Sequence, residues 1–120
     1  MKEMQSKHEP SECKKLLLPV NDALDILRGK WKIPIVVALY FGNRRFKELQ
    51  RQVEGITPKM LSKELRELEM NELVIRTVRN TVPVTVEYKL SDYGMTLEKV
   101  IMELKSWGTK HRKRIIGKSK

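Results

Sequence analysis

One stretch of the sequence decides the fold, and it reads Gly55-Ile-Thr-Pro-Lys-Met-Leu-Ser-Lys-Glu-Leu-Arg-Glu-Leu-Glu-Met70. Gly55 is suited to a tight turn. Thr57 is a good N-cap, because its hydroxyl oxygen can accept a hydrogen bond from the unpaired N–H groups of the first helical turn. Pro58 then falls at the first helical position, where its missing N–H costs nothing. The stretch therefore predicts a tight turn followed by a helix that begins at Pro58.

This predicted helix has two different faces. With about 3.6 residues per turn, its leucines share one face, which would pack on a core: Leu61, Leu65 and Leu68. The opposite face is basic and polar and carries Lys59, Ser62, Lys63 and Arg66. Three acidic residues fall mostly at the flanks: Glu64, Glu67 and Glu69. A solvated amphipathic helix could account for this pattern alone, with Glu–Lys pairs worth about 0.2–0.5 kcal/mol each.

The segment before the turn favours a more specific interpretation. Phe46, Leu49 and Val53 form a short apolar stripe that ends just before Glu54 and Gly55. A short helix, a glycine turn and an amphipathic helix with a polar outer face, in this order, are typical of a helix-turn-helix. We therefore interpret residues 58–70 as a DNA-recognition helix.

The charge of the chain indicates a polyanionic partner. The 25 Lys and Arg residues exceed the 15 Asp and Glu residues, which gives a formal net charge of +10. Nucleic acid is the natural candidate, although an acidic membrane surface would also fit the charge. The sequence has no long apolar run, and its N-terminus lacks the apolar core of a signal peptide, so we predict a cytoplasmic protein without a membrane partner. Its 120 residues suit one domain.

Motifs for catalysis and metal binding are missing from the sequence. Cys13 is the only cysteine, which excludes an intramolecular disulfide and a cysteine-based zinc site within one chain. His8 and His111 are isolated, and there is no Gly-rich phosphate loop or nucleophile motif. We therefore predict that the protein is not an enzyme and needs no cofactor or metal. Cys13 is the one candidate redox residue. Lys14 and Lys15 favour its thiolate, but a lone cysteine is more often incidental, so we predict no sensing role.

The N-terminal half predicts an arm and two helices. Residues 1–15 are mostly polar and are predicted to form a flexible arm ahead of a folded domain over residues 16–117. Behind Pro19, apolar residues recur at helical spacing, so a first helix should end near Gly29. Residues 30–40 are apolar nearly all round and could form a buried strand or a buried helix; their length favours a helix.

That second helix should begin near Trp31 or Lys32, with Trp31 packed in the core rather than stacked on a base. Arg44 and Arg45 could form a very short strand before Phe46.

A hairpin is predicted after the recognition helix. Residues 73–79 and 84–90 are rich in β-branched side chains, and four residues join them. In the second segment apolar and polar residues alternate, so one face should be buried. A helix-turn-helix followed directly by a hairpin is a winged helix, which makes the fold class α+β, mainly α. Contacts from the wing and nearby backbone to DNA are predicted for Arg44, Arg45, Arg76, Arg79 and Asn80.

The C-terminus predicts one long helix with an unpartnered apolar stripe. Ser91 should cap this helix, and residues 118–120 should form the end of a basic tail. The stripe repeats every three or four residues and is predicted to be a dimer interface, formed by Leu97, Val100, Ile101, Leu104 and Trp107.

Taken in this order, the residues resemble the HxlR-type winged-helix transcriptional regulators of bacteria and archaea. The resemblance covers roughly residues 20–111 and rests on the order and spacing of short fragments, among them Gly29-Lys-Trp31, Arg45-Phe-Lys-Glu-Leu49, Leu65-Arg-Glu-Leu68, Val86-Glu-Tyr88 and Trp107-Gly108. It implies a homodimer whose terminal helices form the interface, with one recognition helix and one wing of each subunit on DNA. The chain departs from the family where Lys14 follows Cys13 in place of a frequent proline. It also has Asn71-Glu72 where Asp-Gly is common.

We therefore predict a sequence-specific DNA-binding transcriptional regulator that acts as a homodimer on a pseudo-palindromic operator. Residues near the start of the recognition helix should read base edges: Thr57, Pro58, Lys59 and Ser62. Lys63 and Arg66 should contact phosphates. The sequence leaves open whether a small-molecule effector binds. The alternative is a winged-helix module that binds protein or RNA without operator specificity.

Overall fold

The computed structural model describes residues 10–119, with side chains over residues 11–117. In this part of the chain the elements are α1 Pro10–Leu27, α2 Lys32–Tyr40, β1 Arg44–Arg45, α3 Phe46–Gln52, α4 Pro58–Met70, β2 Val74–Arg79, β3 Thr85–Leu90, α5 Asp92–Met95 and α6 Leu97–Ser119. Helices dominate and a small sheet follows α4, so the predicted mainly helical α+β class is confirmed. None of the helices described here is long and apolar enough to cross a membrane.

The ambiguous apolar segment is a helix, as its length predicted. Three side chains of α2 are almost fully buried: Ile35, Val36 and Leu39. They belong to one core cluster with the leucines of α4 and with Tyr88 and Leu90 of β3. Trp31 packs against this cluster, which confirms its predicted structural role. The core therefore lies between α2, the helix-turn-helix and the sheet.

The sheet has the strand order β1-β3-β2, and both pairings are antiparallel. β1 pairs Arg44 with Tyr88, so the very short strand considered from the sequence is present. β2 and β3 form the wing. Its end near the body is buried at Tyr88 and Leu90, whereas Val84 near the tip is 62% exposed. The winged helix-turn-helix predicted from the sequence is thus confirmed, with a third strand added to its two-stranded wing.

Backbone geometry fixes the recognition helix at both ends. Gly55 has φ +85° in the turn between α3 and α4, a conformation that glycine adopts without strain. At the other end, the N–H of Glu72 donates to the carbonyl of Glu69 at 2.9 Å, and the N–H of Leu73 donates to the carbonyl of Leu68 at 3.0 Å. This pair of bonds is a Schellman motif, and it places Glu72 at φ 63°.

The first helix is longer than the sequence predicted. The flexible-arm prediction is wrong for residues 10–15, which lie in α1, and its remaining part falls on residues 1–9, outside the described residues. Pro19, behind which the sequence predicts the start of the helix, lies inside it. Lysines and leucines, which are good helix formers, fill the turn before Pro19, and the helix continues through the proline although one backbone hydrogen bond is missing there.

The single C-terminal helix predicted after Ser91 is divided in two. Ser91 does act as an N-cap, since its hydroxyl accepts from the N–H of Gly94 at 2.8 Å, but it caps the four-residue α5. Thr96 interrupts the helix because its N–H bonds to carbonyls within α5. α6 then continues to Ser119, so the first two residues of the predicted basic tail end are helical; Lys120 lies outside the described residues.

Candidate nucleic-acid interface

The start of α4 has the geometry expected of a recognition helix. The Thr57 hydroxyl accepts a hydrogen bond from the N–H of Met60 at 3.1 Å, and Pro58 occupies the first turn. Other N–H groups of this turn point out of the helix end with a partial positive charge, which favours an anionic partner.

The two faces of α4 are separated as the sequence predicted. The leucine face is buried, with Leu61, Leu65 and Leu68 at most 1% exposed. All six residues predicted to contact DNA are exposed: Thr57, Pro58, Lys59, Ser62, Lys63 and Arg66. The helix therefore presents a basic and polar surface to solvent while its other side is anchored in the core.

One carboxylate of α4 lies where the sequence interpretation did not place it. Glu64 is 5% exposed, not at a solvated flank. The Nζ of Lys32, at the start of α2, donates to Glu64 Oε1 at 2.7 Å and to Glu67 Oε1 at 2.6 Å. The helical position of Glu64, three residues after Leu61 and four before Leu68, is the signal that could have located it on the core side.

Lys32 and Glu67 are each stabilised in their charged forms. Burial lowers the pKa of Lys32, but the hydrogen bonds to Glu64 and Glu67 outweigh it, and the pKa lies above its ordinary value. The hydrogen bond from Lys32 holds the pKa of Glu67 below its ordinary value against a smaller opposing effect of burial. The contact between Lys32 and Glu67 is thus ionic at neutral pH.

The two arginines of the wing do not lie together. In the antiparallel register Arg76 faces Tyr88, whereas Arg79 faces Thr85. Because side chains alternate along a strand, Arg76 and Arg79 project from opposite faces. Both are exposed. They therefore form no joint contact surface.

Arg79 already has an acidic partner in the wing. Its Nη2 lies 3.2 Å from Glu87 Oε1, and Asn43 Nδ2 donates to the same oxygen at 3.4 Å. The hydrogen bond from Arg79 is the main reason that the pKa of Glu87 lies below its ordinary value. A phosphate contact by Arg79 would require the guanidinium to leave this half-buried carboxylate. Asn80 lies next to it and is exposed.

A basic groove of about 540 Å³ separates the start of α3 from the β3 side of the wing. Three of its lining residues are exposed cations: Arg45, Lys47 and Arg51. The carboxylate of Glu48 is occupied by the backbone N–H of Arg45, at 2.8 Å. Arg45 is among the predicted DNA contacts, whereas Lys47 and Arg51 are neighbouring cations that the sequence interpretation did not include. Their spacing of four residues on α3, which places them on one side of that helix, was the available signal.

Arg44 lies outside this group of cations. It is half-buried, and its Nε donates to Gln52 Oε1 at 3.0 Å. A second contact joins its Nη1 to the carbonyl of Asn43 at 3.3 Å. Arg44 therefore fastens β1 to the end of α3, and the prediction that it contacts DNA has no support in this geometry.

The terminal helices carry large exposed apolar side chains. On α1 these are Leu16, Leu17, Leu18, Val20 and Leu24, which are between 44% and 67% exposed. On α6, Val100, Leu104 and Trp107 are exposed, as a predicted interface requires. Leu97 and Ile101 are instead partly buried against the core of their own chain, so only part of each side chain is left for a partner, and their assignment to the dimer interface stays a prediction. They occupy the turns of α6 nearest the body, where the core is within reach.

Cys13 lies on α1 and is exposed. It is therefore on a helix rather than on the flexible arm predicted from the sequence. Nothing about this position by itself distinguishes a reactive thiol from an incidental one, and the prediction of no sensing role stays a prediction.

Comparison with known proteins agrees with this architecture. A family model described as HxlR-like helix-turn-helix matches residues 26–116. The chain is 43% identical over 106 residues to the HTH-type transcriptional regulator YtcD of Bacillus subtilis (strain 168), which covers 88% of this chain and 84% of YtcD. It is 38% identical over 88 residues to YodB of the same strain, covering 73% and 79% of the two chains. The solved structure of the redox regulator HypR in its reduced form matches with a TM-score of 0.76 at 39% identity, over 82% of this chain and 98% of HypR.

Proposed function

This chain belongs to the HxlR family of winged helix-turn-helix transcriptional regulators, and from that premise we propose that it acts as a homodimer on a pseudo-palindromic DNA operator. The observation that carries this proposal is the exposed basic face of α4, which lies opposite three buried leucines. A helix anchored in this way can enter a major groove without losing its packing.

Base recognition and phosphate binding are assigned to different parts of α4. Lys59 and Ser62 lie in its first two turns and, with Thr57 and Pro58, are nearest to base edges when a recognition helix enters the groove by its N-terminus. Lys63 and Arg66 lie further along, where a phosphate contact is the expected role. Sequence specificity should therefore depend on the first group and general affinity on the second.

Phosphate contacts outside α4 come from two surfaces. The basic groove beside α3 presents Arg45, Lys47 and Arg51, whose charges suit one strand of the DNA backbone. Arg79 and Asn80 extend the contact from the wing. These residues carry no base-specific geometry, so they should hold random DNA as well as operator.

Exposed leucines on α1 and the exposed residues Val100, Leu104 and Trp107 of α6 support the homodimer. Large apolar side chains in this number favour a covered surface over a solvated one. A second copy is the partner we propose, because a twofold axis presents two equal recognition helices to DNA. Their half-sites should then lie about 34 Å apart, or a multiple of that distance.

Selection from genomic DNA tests the proposal. The protein is mixed with sheared genomic fragments and excess random competitor, and bound fragments are sequenced. The expected result is one inverted-repeat sequence, bound by a species of two chains in sedimentation. A protein that retains all fragments equally, or stays a monomer at micromolar concentration both free and on DNA, would contradict it. Equal retention is the behaviour expected of a module without operator specificity.

A further inference from the structure

The buried Lys32 is not explained by DNA contact. It begins α2, on the core side of the recognition helix, and its side chain is 7% exposed. Its ammonium bridges two carboxylates of α4, Glu64 and Glu67. Removing an ion from water is unfavourable, and apolar residues of similar volume often give equal or greater stability at such a site. The bridge therefore needs a role besides stability.

The bridge adds a directional constraint to the packing of the leucines. Close-packed leucines resist a large rotation of α4, but the hydrophobic effect itself has no preferred direction, and apolar side chains adapt to small displacements more readily than hydrogen bonds do. Hydrogen bonds of 2.6 and 2.7 Å are directional. A rotation of about 20° moves an atom 6 Å from the helix axis by roughly 2 Å, which breaks such a bond. Glu64 and Glu67 lie on one edge of α4, so they resist this rotation.

We propose that Lys32 is a positioning residue that fixes the rotation of α4 and thereby the alignment of its outward face with DNA bases. This inference rests on the proposed function. Glu67 connects the bridge to that outward face, because its second oxygen, Oε2, lies 4.0 Å from the Nζ of Lys63. The same 2 Å displacement that breaks the bridge moves Lys59 and Ser62 out of hydrogen-bonding distance of a base edge.

The test replaces the ion pair by an apolar pair of similar volume, Lys32→Met with Glu64→Met. The double substitution removes one charge of each sign, so the net charge is unchanged and affinity for random DNA should stay within about twofold. Glu67 also loses its cation, but its side chain is 39% exposed and stays accessible to solvent, so the melting temperature should remain close to that of the unsubstituted protein. The ratio of operator affinity to random-DNA affinity should fall at least tenfold, which corresponds to the loss of one base contact.

Two further variants separate positioning from folding. Lys32→Met alone leaves Glu64 buried without its cation, and we expect it to lose stability. Glu64→Gln keeps an oxygen that accepts from Lys32, so this variant should retain most of the ratio of operator affinity to random-DNA affinity. An unchanged ratio in the double variant, or an equal loss of affinity for both duplexes, would overturn the proposal.

A measurement without DNA distinguishes this inference from the function on which it rests. Residual dipolar couplings of the backbone N–H groups over residues 58–70, referred to those of α2, report the rotation of α4. The double variant should show altered or averaged couplings, whereas Glu64→Gln should not. Unchanged couplings in the double variant would overturn the positioning role even if an operator is found. Altered couplings without any operator would instead contradict the proposed function alone.

Discussion

Glu72 offers the sharpest test of local energetics, because it occupies a position better suited to glycine. Its φ of 63° is in the left-handed region, at the residue that ends α4 in a Schellman motif. That conformation costs a non-glycine residue roughly 1–2 kcal/mol. A glycine at this position removes that cost, but about 0.5–1 kcal/mol of the gain is offset because glycine increases the conformational freedom of the unfolded chain. Glu72→Gly should therefore raise the free energy of unfolding by about 0.5–1 kcal/mol.

The expected change in melting temperature follows from the chain length. For 120 residues the entropy of unfolding is about 250 cal/mol/K, so the midpoint should rise by about 2–4 °C. The hydrogen bond from the Ser91 hydroxyl to the carbonyl of residue 72 is kept, since it uses only backbone at that position. Calorimetry of both proteins at equal concentration measures the shift.

Glu72→Ala is the matched control, because it removes the same carboxylate but keeps Cβ. We expect it to leave the midpoint within about 1 °C of the unsubstituted protein. If alanine stabilises as much as glycine, the gain comes from the lost carboxylate and not from the backbone. A glycine variant that melts at or below the temperature of the unsubstituted protein would show that the positive φ of Glu72 does not destabilise the fold.

Four further outcomes are expected. Arg79→Ala should weaken binding to operator and random DNA alike and reduce the slope of log affinity against log salt by about one, measured by binding isotherms at several salt concentrations. Lys59→Ala or Ser62→Ala should instead cost about 1–3 kcal/mol of discrimination at one base pair, measured with operator duplexes substituted at each position. The pKa of Glu67 is held below its ordinary value of 4.5, so its ion pair with Lys32 stabilises the fold above that pH and is lost as the pH falls through the lowered pKa. The loss of stability caused by Glu67→Gln, measured by urea titration, should therefore become smaller in acid. Peroxide treatment should leave the operator affinity of the unsubstituted protein unchanged and equal to that of the Cys13→Ser variant, as measured by gel shift.

The sequence predicted those features that depend on local chemistry. Thr57 and Pro58 mark the start of α4 because capping depends only on neighbouring residues, and Gly55 marks the turn for the same reason. The alternation in β3 follows from the two-residue period of a strand, and the leucine stripe of α4 follows from the period of about 3.6 residues of a helix. These signals were sufficient for the winged helix-turn-helix.

The features that the sequence did not predict involve contacts between distant residues or competing local signals. The helical spacing of Glu64 places it on the core side of α4, but no local pattern reports its pairing with Lys32, thirty-two positions earlier. Leu97 and Ile101 share a stripe with Trp107, but only the first turns of α6 lie against the body. Proline usually interrupts a helix, which is why the sequence predicts a helix start behind Pro19. The helix formers on either side of Pro19 instead keep α1 continuous across it.

The most direct test of the account is a competition titration on the selected inverted repeat. Labelled operator is bound by the protein and displaced by unlabelled operator or by a scrambled duplex of equal length and composition, with the stoichiometry read by sedimentation. We predict two chains per operator and at least a thousandfold excess of scrambled duplex for equal displacement. Equal displacement by both duplexes, or one chain per operator, would contradict it.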